Sequence, residues 1–138
     1  MVGDGRNGAM EERIKAYDEI VRVLNLCMEG EAKGDAERLK EAFHEDARMF
    51  GEVAGTRYDM PITEFFELAV SEPADTGNYR GRVLSVHQVG DAANAVVAED
   101  GYWGSVSFID FFTLNRIAGT WKIVNKTFVH TGGEPPES

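Results

Sequence analysis

From Glu11 onward, apolar residues recur at helical spacing: Ile14, Tyr17, Val21, Leu24 and Met28, at alternating steps of three and four. Arg13, Lys15, Asp18, Glu19 and Arg22 fill the positions between them, which predicts one amphipathic helix. Gly30 and Gly34 offer its stops. Asp35 can cap a second, short helix carrying Leu39 and Phe43 on one face. Two short strands follow, Ala47–Phe50 and Val53–Tyr58, around a glycine-containing bend. Pro61 is placed to start a third helix, with Ile62, Phe65, Phe66 and Ala69 as its apolar face and Pro73 beyond its end.

The pattern then changes to strands. Gly81–Val89 and Ala95–Tyr102 flank a turn at Gly90-Asp91, and Gly104–Arg116 and Thr120–Thr131 make a last hairpin. Residues 1–10 are glycine-rich and read as loose; residues 132–138, GGEPPES, read as a disordered tail. Residues 11–131 form one domain, without repeat or linker. Three helices interleaved with two short strands, then four long antiparallel strands, give an α+β layout with the helices on one face of a curved sheet.

Composition narrows the functional classes. At 138 residues the chain suits one domain that buries roughly 68% of its unfolded surface. Its net charge of −10 argues against nucleic acid or an anionic membrane as partner, since phosphate binding needs a positive surface. Cys27 is the sole cysteine, so no internal disulfide can form, which suits a reducing cytoplasm. His44, His87 and His130 are scattered without metal-ligand spacing, so no metal is expected. No apolar run is long enough to span a membrane, and the first ten residues lack the apolar centre of a signal peptide.

The last hairpin carries the candidate chemistry. Asp110 and Lys126 lie mid-strand among Phe108, Phe112, Val124 and Phe128, where burying an unpaired charge is costly. That pattern predicts a pocket with a polar floor. A three-residue turn, Ile117–Gly119, would set Asp110 opposite Lys126; a two-residue turn would flip one strand relative to the other. Lesser candidates are Tyr17 on the first helix, Asp46 after the second and His87 in mid-strand. Trp103 and Trp121 read as packing or interface residues, and one of Phe65 and Phe66 as a roof over the pocket.

Three passages resemble the nuclear transport factor 2-like superfamily, whose fold is a cone-shaped sheet curled around a pocket. They are EGEAKGDAERLKEAFHEDARMFG, YRGRVLSVHQVGDAANAVV and FIDFFTLNRIAGTWKIVNKTF, and the likeness covers about residues 11–130. Together they are most similar to the SnoaL-like, putative lumazine-binding subgroup. The resemblance implies three helices packed on a strongly curved, mainly antiparallel sheet, and a homodimer formed through the sheet.

Ketosteroid isomerase, an enzyme of this fold, uses a helix tyrosine, an aspartate base and a protonated aspartic acid. Its tyrosine position falls on Cys27 and its base position near Gly51, beside Glu52; only Asp110 matches. Steroid isomerisation by that constellation is therefore rejected. The resemblance turns Val124, Lys126 and Phe128 inward and favours the three-residue turn. The expected ligand site is then Tyr17, Phe66, Phe108 and Phe112, with Asp110, Val124, Lys126 and Phe128. An Asp110–Lys126 pair could fix strand register, anchor a ligand or take part in catalysis.

The leading functional reading is a domain binding a small hydrophobic or heteroaromatic molecule, without cofactor. The alternatives are a cofactor-independent isomerase, dehydratase or cyclase, with Asp110 and Lys126 as catalytic candidates, and a non-catalytic dimeric scaffold.

Overall fold

A computed structural model describes residues 4–136, with side chains from residue 8. Three helices and six strands follow in the order α1 (Asp4–Lys33), α2 (Ala36–Ala42), β1 (Phe43–Val53), β2 (Thr56–Pro61), α3 (Ile62–Ser71), β3 (Asp75–Val89), β4 (Ala92–Tyr102), β5 (Val106–Ile117) and β6 (Thr120–Gly132). The strands form one open sheet in the order β2-β1-β6-β5-β4-β3. Every neighbouring pair is antiparallel except β1 and β6. The fold is the α+β arrangement of three helices on a mainly antiparallel sheet that the sequence predicts.

The first helix begins earlier than expected. Residues 4–10 belong to α1 instead of a loose segment, and residues 1–3 lie outside the described part. Its buried face is Ala16, Ile20, Val23, Leu24 and Cys27. Ile14 and Tyr17, expected on that face, are 56% and 51% exposed, because none of the described residues covers the early turns of this long helix. Where α1 meets α2 the two run close: a Cβ on Gly30 would lie 2.7 Å from Leu39 Cγ. Asp35 caps α2 as expected, accepting from the backbone N–H groups of Glu37 at 3.1 Å and Arg38 at 3.3 Å.

Strand boundaries also shift. Phe43 opens β1 instead of ending the second helix, and Pro61 closes β2 at the cap position of α3. Strand β3 starts at Asp75, six residues before Gly81. The tail expected to be disordered is placed as far as Pro136: Gly132 ends β6, and residues 133–136 continue without regular structure. Residues 137 and 138 lie outside the described part.

The hairpin that carries Asp110 and Lys126 departs most from expectation. Its turn has two residues, Ala118 and Gly119, both with positive φ (50° and 83°), and pairs Ile117 with Thr120. A flat continuation would turn Lys126 outward. A bulge prevents this: Leu114 pairs with Ile123, but Thr113 pairs with Asn125, leaving Val124 as the extra residue. Before the bulge Trp121 and Ile123 face inward; after it Lys126 and Phe128 do. Asp110 therefore lies opposite Phe128, and Lys126 opposite Phe112. Val124 is skipped and is only half-buried, correcting its expected place in the pocket.

Candidate functional site

Four ionisable side chains converge under the helices. Glu31 comes from the last turns of α1, Glu99 from β4, Asp110 from β5 and Lys126 from β6. They are 0%, 2%, 1% and 3% exposed. Lys126 Nζ donates to Glu31 Oε1 in a buried salt bridge and stands 4.2 Å from the Phe65 ring centroid. The Tyr79 hydroxyl donates to Glu99 Oε2 at 2.6 Å. Among the described residues no N–H or hydroxyl donates to either oxygen of Asp110, to Oε1 of Glu99 or to Oε2 of Glu31. A proton held by these carboxyls is shared among them, Glu99 with Asp110 and Glu31 with Glu99. The expected Asp110–Lys126 pair is thus replaced by Glu31–Lys126, because the register offset moves Asp110 along the strand while α1 brings a carboxylate to the ammonium.

The cluster forms the floor of a cavity of about 360 Å³. Asp110, Glu99 and Lys126 line it, with Phe65, Phe108 and Phe128 beside them. The wall is a run of edge-on and tilted rings: Tyr102 to Phe108 at 5.1 Å, Phe108 to Phe128 at 5.5 Å and Phe128 to Tyr58 at 6.2 Å between centroids. A Cβ on Gly51 would lie 2.5 Å from the Phe128 ring, so that glycine is what lets the ring lie against β1.

Burial fixes the protonation of this floor. Desolvation pushes Glu99 up to about 8, reinforced by Asp110 and opposed by Lys126. Desolvation also raises Asp110, while Lys126 and a hydrogen bond from the Glu99 carboxyl pull it down. Glu31 is raised well above the usual range by burial and by Glu99, although its contact with Lys126 acts the other way. Burial would lower the Lys126 ammonium, but Glu31, Asp110 and Glu99 outweigh it and hold the group well above its ordinary value. The four groups titrate as one unit. One ammonium balances one carboxylate, so further buried negative charge is avoided by keeping protons on the remaining carboxyls. The Tyr79 phenol, raised by burial and by Glu99, stays a donor, and the buried Cys27 thiol stays neutral.

Three of these carboxyls, Glu31, Glu99 and Asp110, bring oxygens within 4.8 Å of one another, the kind of ligand set that hard cations favour. The Lys126 ammonium already supplies positive charge there and opposes a second cation.

Of the residues expected at the site, Phe108, Asp110, Lys126 and Phe128 line the cavity, and Tyr17, Phe66, Phe112 and Val124 do not. Tyr17 lies on an uncovered part of α1. Phe66 turns away from Phe65 and packs on Phe43 at 5.7 Å, so Phe65 is the roofing member of the pair. Phe112 faces inward as expected, but it lies in solid core at 2% exposure. Glu52, Asp46 and His87 are exposed and lie away from the cavity. Trp103 lines the cavity, while Trp121 is buried elsewhere.

Sequence reasoning missed Glu31 and Glu99. Both signals were present: Glu31 continues the buried stripe of Leu24, Cys27 and Met28, and Glu99 continues the inward alternation of Ala93, Ala95 and Val97.

This fold, with helices over an open sheet and a cavity floored from its inner face, defines a domain of the nuclear transport factor 2-like superfamily. The chain belongs to the putative lumazine-binding family, whose profile matches residues 15–129. Among solved structures it is similar to a nuclear transport factor 2-like protein of unknown function from Methylobacillus flagellatus KT, with 33% identity and a TM-score of 0.79 over 86% of this chain and 94% of that one. A ketosteroid isomerase-like protein from Erwinia carotovora atroseptica shares the fold alone, with 14% identity and a TM-score of 0.68 over 84% of this chain and 96% of that one. Among characterised proteins it is similar to the aldolase FrzH of Cladobotryum sp, with 26% identity over 117 residues, which is 81% of this chain and 89% of that one.

Proposed function

We propose that the cavity binds a neutral, flat ring compound carrying a carbonyl beside a ring N–H. Asp110 carries this reading: at 1% exposure it lines the cavity, and among the described residues no N–H or hydroxyl donates to either of its oxygens. An unsatisfied buried polar group costs about 1–3 kcal/mol, so such an orphan calls for a partner that a ligand would supply. The Glu99–Asp110 pair, with a proton held on Glu99 and Asp110 oxygens beside it, offers a donor and an acceptor side by side, complementary to the edge of a cyclic amide or imide. The aromatic wall suits the faces of such a ring, and about 360 Å³ is enough for a bicycle. The family description names a heterocycle of this class.

Calorimetry with lumazine (pteridine-2,4-dione) and its 1,3-dimethyl derivative tests the reading. Lumazine is expected to bind and the dimethyl compound, which lacks the N–H edge, to bind at least about tenfold more weakly. Equal binding of the two, or no binding of lumazine to folded protein, contradicts it.

A second reading is supported by the Glu99–Asp110 pair and by the relative that is an aldolase. A protonated carboxyl could donate to a substrate carbonyl oxygen while an ionised neighbour takes the proton from the adjacent carbon, giving an enol. The enol then adds to a second carbonyl or is reprotonated. Lys126, held as an ammonium, would stabilise charge instead of forming an imine. Deuterium exchange at the α-carbons of cyclic ketones, followed by NMR, checks this; a rate equal in wild type and Glu99→Gln counts against it.

The homodimer expected through the sheet is part of the same proposal. Leu84, Phe111 and Val129 leave about half of their side chains exposed on strands of that sheet. Light scattering is expected to give twice the 15.3 kDa chain mass. A cytoplasmic location fits the single buried thiol; among the described residues no helix is long and apolar enough to cross a membrane.

A further inference from the structure

The segment after β6 has no ladder of its own, yet specific contacts hold it. Ser105 Oγ donates to the Glu134 carbonyl at 3.0 Å. His130 Nε2 lies 3.0 Å from the Gly132 carbonyl oxygen and 2.7 Å from that of Gly133. The other ring nitrogen, Nδ1, accepts from the Ala54 N–H at 3.2 Å. A ring protonated on Nε2 satisfies all three, tying the β1–β2 turn to the tail. Gly133 has φ 74°, and a Cβ there would lie 1.8 Å from the Ser105 carbonyl oxygen. Only glycine allows so close a path.

That path ends in the cavity wall, where Pro135 and Pro136 stand with Trp103 among the lining residues. Trp103 is itself held in an unusual conformation, φ 54°, by its backbone N–H donating to the Ala74 carbonyl at 2.8 Å and its indole N–H to the Glu72 carbonyl at 3.0 Å. The remaining walls are sheet, helix and three short-turn residues, Ala54, Glu72 and Trp103, of which the first and last are held by backbone hydrogen bonds to His130 and Ala74. The tail is fixed by a few single bonds at an exposed glycine and glutamate and pairs with no strand, so opening it breaks neither ladder nor core.

We propose that residues 133–136 form a strap that is the removable wall of the cavity, and that Pro135 and Pro136 contact the ligand it closes over. This rests on the ligand-binding reading above. The chemistry agrees: proline rings are rigid, carry no N–H and present an apolar face, so they close on a flat ring with little loss of freedom.

The test compares wild type, Gly133→Ala and Gly90→Ala in the full chain. Both substitutions sit at positive φ, but around Gly90 there is open space, so only Gly133→Ala displaces the strap. Acrylamide quenching reads Trp103, since Trp121 is 1% exposed and shielded. The quenching constant is expected to rise about twofold in Gly133→Ala and to stay at the wild-type value in Gly90→Ala. Lumazine dissociation, followed by stopped flow, is expected to be about tenfold faster in Gly133→Ala. Unchanged quenching in Gly133→Ala overturns the strap. Raised quenching with an unchanged dissociation rate overturns the contact assigned to Pro135 and Pro136. Raised quenching with no lumazine binding to any variant upholds the removable wall and removes the ligand reading.

Discussion

The two ends of the β5–β6 hairpin are built from the same strands and filled differently. Toward the turn, Leu114, Ile123 and Trp121 point inward at 0–1% exposure, and Lys122 Nζ donates to the Glu41 carbonyl at the end of α2 at 2.6 Å. Toward the open end, Phe108, Asp110, Lys126 and Phe128 point the same way and border a cavity. The bulge at Val124 lies between them. The filled end has an orphan of its own, the neutral indole N–H of Trp121, whereas the hollow end gathers four orphan carboxyl oxygens. Apolar filling stabilises the fold through burial. The hollow end carries buried ionisable groups that a purely structural core would do without. That contrast between the two ends is what the proposed ligand site accounts for, since departures from a fully satisfied core gather at functional sites.

The comparison is broken most severely by removing the ammonium. Lys126→Met leaves the carboxyls without their cation and is expected to destabilise by about 3–5 kcal/mol near pH 8 in urea unfolding. The loss should shrink toward pH 5, where protons neutralise the same carboxyls. At the filled end, Leu114→Ala is expected to cost about 2–5 kcal/mol with no pH dependence, because it leaves only a cavity.

Acid–base behaviour separates the ends further. Native Glu99 keeps its proton up to about pH 8, whereas the unfolded chain releases it near 4.5. Its contribution is therefore present in full below about 4.5 and is lost as pH rises to about 8. That slope is about 1.4 kcal/mol per pH unit for one proton. Glu99→Gln should remove that share of the slope when urea midpoints are compared at pH 5 and pH 8. The smallest effect belongs to Tyr17→Ala, expected to change stability by no more than about 0.5 kcal/mol and lumazine affinity not at all. A loss of affinity there would return the α1 tyrosine to the site.

Much of this is legible in the sequence. The helix and strand order followed from periodicity; the inward orientation of Asp110 came from the family resemblance, and alternation extends it to Phe108 and Leu114. The hairpin register did not follow. The two-residue turn alone would put Lys126 on the wrong face, and the bulge that restores it is not singled out within Trp121–Val129, where two lysines, an asparagine and a threonine interrupt the apolar residues. The inward phases of Lys126 and Phe128 were still correct, although the turn that was to produce them was not. The partner of Lys126 stayed hidden because Glu31 lies 95 residues away, on a helix whose approach depends on tertiary packing. Tyr17 was misplaced because periodicity reports which face of a helix is apolar, not how far the core extends beneath it.

The most direct measurement takes stability and lumazine affinity together on Asp110→Leu and Asp110→Asn. Leucine removes the orphan oxygens beside a cavity with room for the side chain, so that variant should be at least as stable as wild type and bind at least about tenfold more weakly. Asparagine keeps a donor and an acceptor in the same place and should hold affinity within about threefold. An Asp110→Leu protein that binds lumazine as tightly as wild type, or that loses stability by as much as a core truncation, contradicts the assignment of Asp110 as the floor of a ligand site.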